Sequence, residues 1–171
     1  MDIKFKNKYT RNKELAKEIY GYYYFKRKLY IFADVLLAIS FTVNLMGAVV
    51  GDSYSLYVFI AAPLMAALQV FLYFYQVNMM IKRDHELAGK DVDIETVVTD
   101  ELIQGASSTG TVNKITFDKV KGVVQTKNLI MLGTKANMIY IFHKDGFEIG
   151  NAEEFIAFLR NKGFSVKGKK A

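Results

Sequence analysis

Leu29–Val50, LYIFADVLLAISFTVNLMGAVV, and Tyr54–Ile81, YSLYVFIAAPLMAALQVFLYFYQVNMMI, are two long apolar runs separated only by Gly51-Asp52-Ser53. Twenty-two residues at about 1.5 Å each give a helix of about 33 Å, enough for a hydrocarbon layer of about 30 Å. The second run gives about 42 Å and should tilt or protrude. Pro63, the one proline of the chain, should kink it. The pair reads as a transmembrane helical hairpin over 29–83. A signal peptide is the poorer reading, because the core is too long, no small-residue cleavage site follows, and a second apolar run comes at once.

Charge orients this hairpin. The 171 residues carry a formal net charge of +6. All of the excess lies in 1–28, where Lys4, Lys6, Lys8, Arg11, Lys13, Lys17, Lys26, Arg27 and Lys28 oppose Asp2, Glu14 and Glu18. Lys82-Arg83 close the second run, while the loop between the runs carries Asp52 alone. The positive-inside rule then puts both termini in the cytosol. Lys26, Arg27, Lys28, Lys82 and Arg83 are the candidate lipid-headgroup contacts, with Tyr22-Tyr23-Tyr24-Phe25 as an aromatic interface belt.

Two polar residues fall inside the spans. Asp34 would cost about 2.5–3.5 kcal/mol at mid-bilayer and less near the basic end. Lys82 or Arg83 on the same side is the expected partner. Asp34 and Asn44 also raise a transport function, but a relay usually needs more intramembrane polar groups. Gly47/Gly51 and Ala62/Ala66 are small residues at close-packing spacing.

The segment before the hairpin, 1–28, reads as basic and cytosolic with an interfacial helix. Ile3 and Phe5 alternate with charges, as in a short strand that pairs with a sheet downstream. Thr10 or Asn12 can cap the helix that follows, with Leu15, Ile19, Tyr22 and Leu29 along one stripe.

After Asp84 the apolar runs shorten. Strands are expected at Val92–Val98, Leu102–Ala106, Thr111–Phe117, Val120–Thr126, Leu129–Leu132 and Met138–Phe142, punctuated by Ser107-Ser108-Thr109-Gly110, Lys127-Asn128, 133–137 and Lys144-Asp145-Gly146. Gly146 is expected at positive φ in its turn. A helix follows, with Asn151 as N-cap, Glu154 three residues on, a Phe155/Phe158/Leu159 stripe and Gly163 just past its end. Strands followed by one helix imply an α+β class, a small antiparallel sheet or barrel closed by a C-terminal helix over 84–171.

These residues carry a resemblance. Ile115-Thr116-Phe117-Asp118-Lys119-Val120, Gln125-Thr126-Lys127-Asn128-Leu129-Ile130, Met138-Ile139-Tyr140-Ile141-Phe142-His143-Lys144, Gly146-Phe147 and Glu153-Glu154-Phe155-Ile156-Ala157-Phe158-Leu159 are similar to the bacterial YcxB-like proteins. That resemblance implies a two-span hairpin with a pleckstrin-homology-like C-terminal domain, at a bacterial inner membrane. It implies no catalytic residues.

No catalytic set is found in the residues themselves. The chain has no cysteine, which excludes thiolate metal sites and thiol nucleophiles. His85 and His143 lack metal-ligand spacing, and no phosphate-binding glycine motif occurs. The expectation is a non-enzyme with no cofactor, no metal and no small-molecule substrate. Lys114, Lys119, Lys121 and Lys127 are the candidate binding surface, for a lipid headgroup or a protein. Residues 84–171 are net neutral and lack a basic aromatic platform, so nucleic acid is not expected. The reading is a membrane-anchored, non-catalytic binding or scaffold module with lipid contacts and a protein partner or homo-oligomer. The alternative is an oligomeric transport or pore-forming subunit built from the hairpin.

Overall fold

The computed structural model describes residues 2–26, 28–51 and 56–168. The chain divides into two compact units, Met1–Asn12 with Arg83–Ala171, and Lys13–Lys82.

The second of these is helical. α1 spans Lys13–Phe25, α2 spans Lys28–Val50 and α3 spans Leu56–Ala88. α2 and α3 are long and apolar enough to cross a membrane. They run antiparallel, with the Phe41 and Phe59 rings 5.4 Å apart and Gln69 Nε2 3.4 Å from Asp34 Oδ2. Tyr30, Asp34, Leu37, Phe41, Asn44, Gly47 and Ala48 are the less exposed of the described positions of α2. They recur every three or four residues, the spacing of a packed helical seam. Ile31, Phe32, Val35 and Ile39 are exposed. α3 continues to Ala88, past the expected end at Ile81. The expected loop residues Asp52 and Ser53, and Tyr54, lie outside the described residues.

Some local expectations are corrected. α1 ends at Phe25 and α2 begins at Lys28, so Leu29 is not on the α1 stripe. Leu15, Ala16 and Ile19 are its buried residues. Thr10 is a strand residue whose hydroxyl donates to Asp93, so Asn12 is the residue that precedes the helix. Gly51 has φ 73°, the left-handed conformation that ends a helix, and therefore serves α2's terminus rather than close packing.

The other unit holds the sheets. Its strands are β1 Phe5–Arg11, β2 Val92–Val98, β3 Leu102–Ser107, β4 Val112–Thr116, β5 Val120–Gln125, β6 Leu129–Thr134, β7 Ile139–His143, β8 Phe147–Ile149 and β9 Val166–Lys167, with helix α4 at Ala152–Asn161. One sheet has the order β4-β3-β2-β1-β8 and the other β7-β6-β5-β9. Among the described residues there is no closed barrel, and β5–β9 is a parallel pair. β8 and β9 are too short for their alternation to show in sequence. The expected unit 1–28 is divided as well. β1 pairs with β2 over seven residues, from Phe5↔Val98 to Arg11↔Val92, and with β8 on its other side.

Phe5, Phe142 and Phe155 are buried at the centre of the core, and the half-buried Phe147 and Phe158 pack against it. Their ring centroids lie 4.5 Å apart for Phe142–Phe155 and 5.1 Å for Phe5–Phe155. Truncating one such buried ring typically costs about 3–5 kcal/mol. α4 is capped as its sequence requires, Glu154 N–H donating to Asn151 Oδ1 at 2.9 Å, and Gly163 has φ 88°. Gly146 is not at positive φ. It is required for a different reason: a Cβ there would collide with the Lys8 carbonyl oxygen. The glycine lets β1 lie against this turn, where Lys8 N–H donates to Gly146 O at 2.7 Å.

Candidate functional site

Register turns the inner face of the five-stranded sheet into rows. Phe5↔Val98, Val98↔Ile103 and Ile103↔Ile115 make an apolar row across four strands, and all four residues belong to the core. Two positions along each strand the side chains return to the same face. That next row is Asn7, Thr96, Gly105 and Asn113, and the one after it contains Tyr9, Ile94 and Ser107. The face thus changes from apolar to polar in one step. Over the polar rows the two sheets part.

The opening is a cleft of about 420 Å³, bordered by Tyr9, Thr96, Gly105, Asn113, Tyr140 and Ile141 among others. Such a volume suits a small ligand or a short segment of chain. Tyr140, on β7, is the last aromatic of the core. Its ring edge lies over Gly105, where an added Cβ would meet Tyr140 Cε1 at 3.3 Å. Its hydroxyl is buried and is the side-chain polar atom that lacks a hydrogen-bond partner among the described residues. Burial pushes its pKa up, so near neutral pH it is an O–H donor. Burial likewise raises Tyr9, assisted by the Asp84 carboxylate and opposed by Arg11. Arg11 and Asp84 form a two-pronged ion pair at the cleft border, with the Arg11 Nε–Asp84 Oδ2 arm at 2.6 Å and a second arm from Arg11 Nη2 to Asp84 Oδ1. The pair cancels its own charge.

Asn7, two residues before Tyr9 on β1, joins that strand to β7. It is fully buried; its Nδ2 donates to His143 O at 2.8 Å and its Oδ1 accepts from His143 N–H at 3.1 Å. One side-chain amide therefore does for β7 what a neighbouring strand's peptide would do.

The sequence-derived sites distribute differently. Lys114, Lys119, Lys121 and Lys127 are all exposed, with Lys119 and Lys127 at opposite ends of β5. Lys119 pairs with Asp118 at 3.0 Å, while Lys127 follows the far end of β5, about 20 Å along a six-residue strand. Asp118 is held below the usual carboxylate range by the Thr116 hydroxyl and Lys119. Asp34 meets Gln69, which also donates to the Tyr24 carbonyl at 2.9 Å, so the expected pairing with Lys82 or Arg83 is corrected. Lys82 stands thirteen residues beyond Gln69 on the same helix, about 20 Å further on. Asn44 donates to the Ser40 carbonyl at 2.9 Å. Lys26 and Lys28 are exposed, and Arg27 lies outside the described residues. His85 bonds Asp91 at 3.1 Å. Among the described residues no group of three or more His, Cys, Asp or Glu could hold a metal.

Asn7, Gly105, Asn113 and Tyr140 were not singled out from sequence. A period-two reading carried from Phe5 through Asn7 to Tyr9 would have marked Asn7 as an inward polar residue. Nothing local marks Gly105 or Tyr140, because their meeting joins two sheets.

The sequence model of the family described as YcxB-like protein matches residues 98–159. The chain carries a YcxB-like domain. No curated protein and no solved structure matches the chain. The YcxB-like segment runs from the last residue of β2 into α4. It includes Gly105, Asn113 and Tyr140, while Asn7, Tyr9, Arg11 and Asp84 precede it in the chain.

Proposed function

We propose that this protein is a membrane-anchored, non-catalytic binding module. In this reading α2 and α3 span a bacterial inner membrane as a hairpin with both termini cytosolic. The two-sheet unit closed by α4 is then a pleckstrin-homology-like domain that presents a cleft to a partner. The observation that carries the reading is the cleft itself: a polar floor of Thr96, Asn113 and Ser107 beside the unpartnered Tyr140 hydroxyl. Hydrogen-bonding groups converge there without a nucleophile, base and orienting group in line, which suits recognition better than chemistry. The two long apolar helices support the anchor. Asp34 and Asn44, the residues behind a transport reading, bond within the helical unit and fit the anchor.

Site-directed photocrosslinking in intact bacteria tests this. The chain has no native cysteine, so a benzophenone can be placed by Asn113→Cys in the cleft and by Glu153→Cys on α4. A reproducible adduct from Asn113→Cys that Glu153→Cys does not give is the expected result. Equal adducts from both, or none from either, would count against the cleft as the working surface.

A further inference from the structure

β7 is an edge strand of its sheet. The direction of its backbone groups follows from four bonds. Lys144 N–H donates to Asn128 O at 2.8 Å, and Met138 O accepts from Thr134 N–H at 2.9 Å. Residues 138 and 144 therefore face β6. His143, of the opposite parity, directs both its N–H and its C=O away from β6, to Asn7. Parity alternates along an antiparallel ladder. The N–H and C=O of Ile139 and Ile141 consequently point outward along the same edge as those of His143. Both residues border the cleft. These are the four main-chain groups that an added strand would use.

We propose that an extended, uncharged segment of a partner protein lies in this cleft and pairs with Ile139 and Ile141 as an added strand. The proposal rests on the binding-module reading and specifies its ligand. Exposed edges are normally blunted by lysine, proline or extreme shortness. β4 carries Lys114, and β8 and β9 have three and two residues. Ile139-Tyr140-Ile141 has no such device. Asn7 already pairs with His143 in the manner of a strand, and an incoming segment continues that pairing for two more peptide groups. Three residues of β7 span about 10 Å, which matches a cleft of about 420 Å³. Charge selects the class of segment. The Arg11–Asp84 pair is internally neutralised, and the remaining border is hydroxyl, amide and apolar. A charged side chain would enter without a counter-charge, which is costly. The Tyr140 hydroxyl is a donor for a carbonyl or hydroxyl of the segment. Main-chain pairing supplies affinity and the floor supplies selectivity.

The test uses the full chain in lipid nanodiscs and a phage-displayed random heptapeptide library. A selected peptide is synthesised and its Kd measured. Ile141→Pro removes an N–H that does not serve the β6 ladder, and proline is tolerated at such an edge. It should weaken binding by about tenfold or more. N-methylation of the peptide's central amides should do the same with the protein unchanged, so misfolding cannot mimic the result. Tyr140→Phe should weaken binding several-fold, and Lys119→Ala should leave it unchanged. Amide exchange at Ile139 and Ile141 should slow in the complex. A peptide that binds wild type and Ile141→Pro equally would overturn strand pairing while leaving a binding module in place. Failure to recover any peptide would overturn the proposal. So would protection of Ile139 and Ile141 that follows vesicle composition or protein concentration without peptide, the signatures of a lipid or of a second copy.

Discussion

Two glycines and a tyrosine show how single residues set this structure. Gly146 and Gly122 both lie in the sheet unit, yet their surroundings differ. A Cβ at Gly146 meets the Lys8 carbonyl, whereas at Gly122 nothing lies within 4 Å. Backbone cannot yield as a flexible side chain can. Gly146→Ala should therefore lower stability by about 1–3 kcal/mol, while Gly122→Ala should stay within about 0.5 kcal/mol of wild type. Urea unfolding of both variants checks the contrast. Tyr140 makes the opposite case. Its buried hydroxyl carries a desolvation cost with no hydrogen bond in return. Tyr140→Phe is expected to keep or raise the unfolding midpoint. A fall of more than about 1 kcal/mol would show that the hydroxyl has a structural partner, and would remove it from the binding argument.

At the scale of elements, β1 is the decisive piece. It lies between β2 and β8 and contributes Phe5 to the core and Asn7 to the stitch with β7. Its outer face is tied as well, Lys6 pairing with Glu148 at 2.9 Å and Glu95 at 3.3 Å. Deleting residues 2–12 from the full chain would leave two strands with unpaired edges and the His143 peptide groups without Asn7. The expected outcome is loss of hydrogen-exchange protection across β2, β3 and β8, with rapid trypsin cleavage there. Retained protection in β2 would mean that β1 is an accessory strand. A fragment beginning at residue 84 should fail to fold for the same reason.

For the molecule as a whole, the expected membrane topology is open to a direct measurement because there is no native cysteine. Under the proposed orientation, Ser53→Cys in intact cells with a permeabilised outer membrane should react with a membrane-impermeant maleimide. Lys90→Cys should react only after the inner membrane is disrupted. The reverse pattern would invert the topology and place the cleft outside the cytosol. Labelling of both in intact cells would mean that the helices do not span.

Composition and periodicity alone determined the two long apolar helices, the basic excess before them, six of the strands and the capped α4. These signals are local: a run of apolar residues, a two-residue alternation, an Asn followed by Glu three residues later. Tertiary structure decided the rest. It placed β1 inside a sheet whose other strands begin more than eighty residues later, split the strands into two sheets, set Lys119 and Lys127 at opposite ends of β5 and put Gln69 opposite Asp34. It also made the cleft, which needs Tyr9 from β1, Gly105 from β3 and Tyr140 from β7 at once. No short window of sequence contains that meeting, because register between distant strands is set by which faces they bury together.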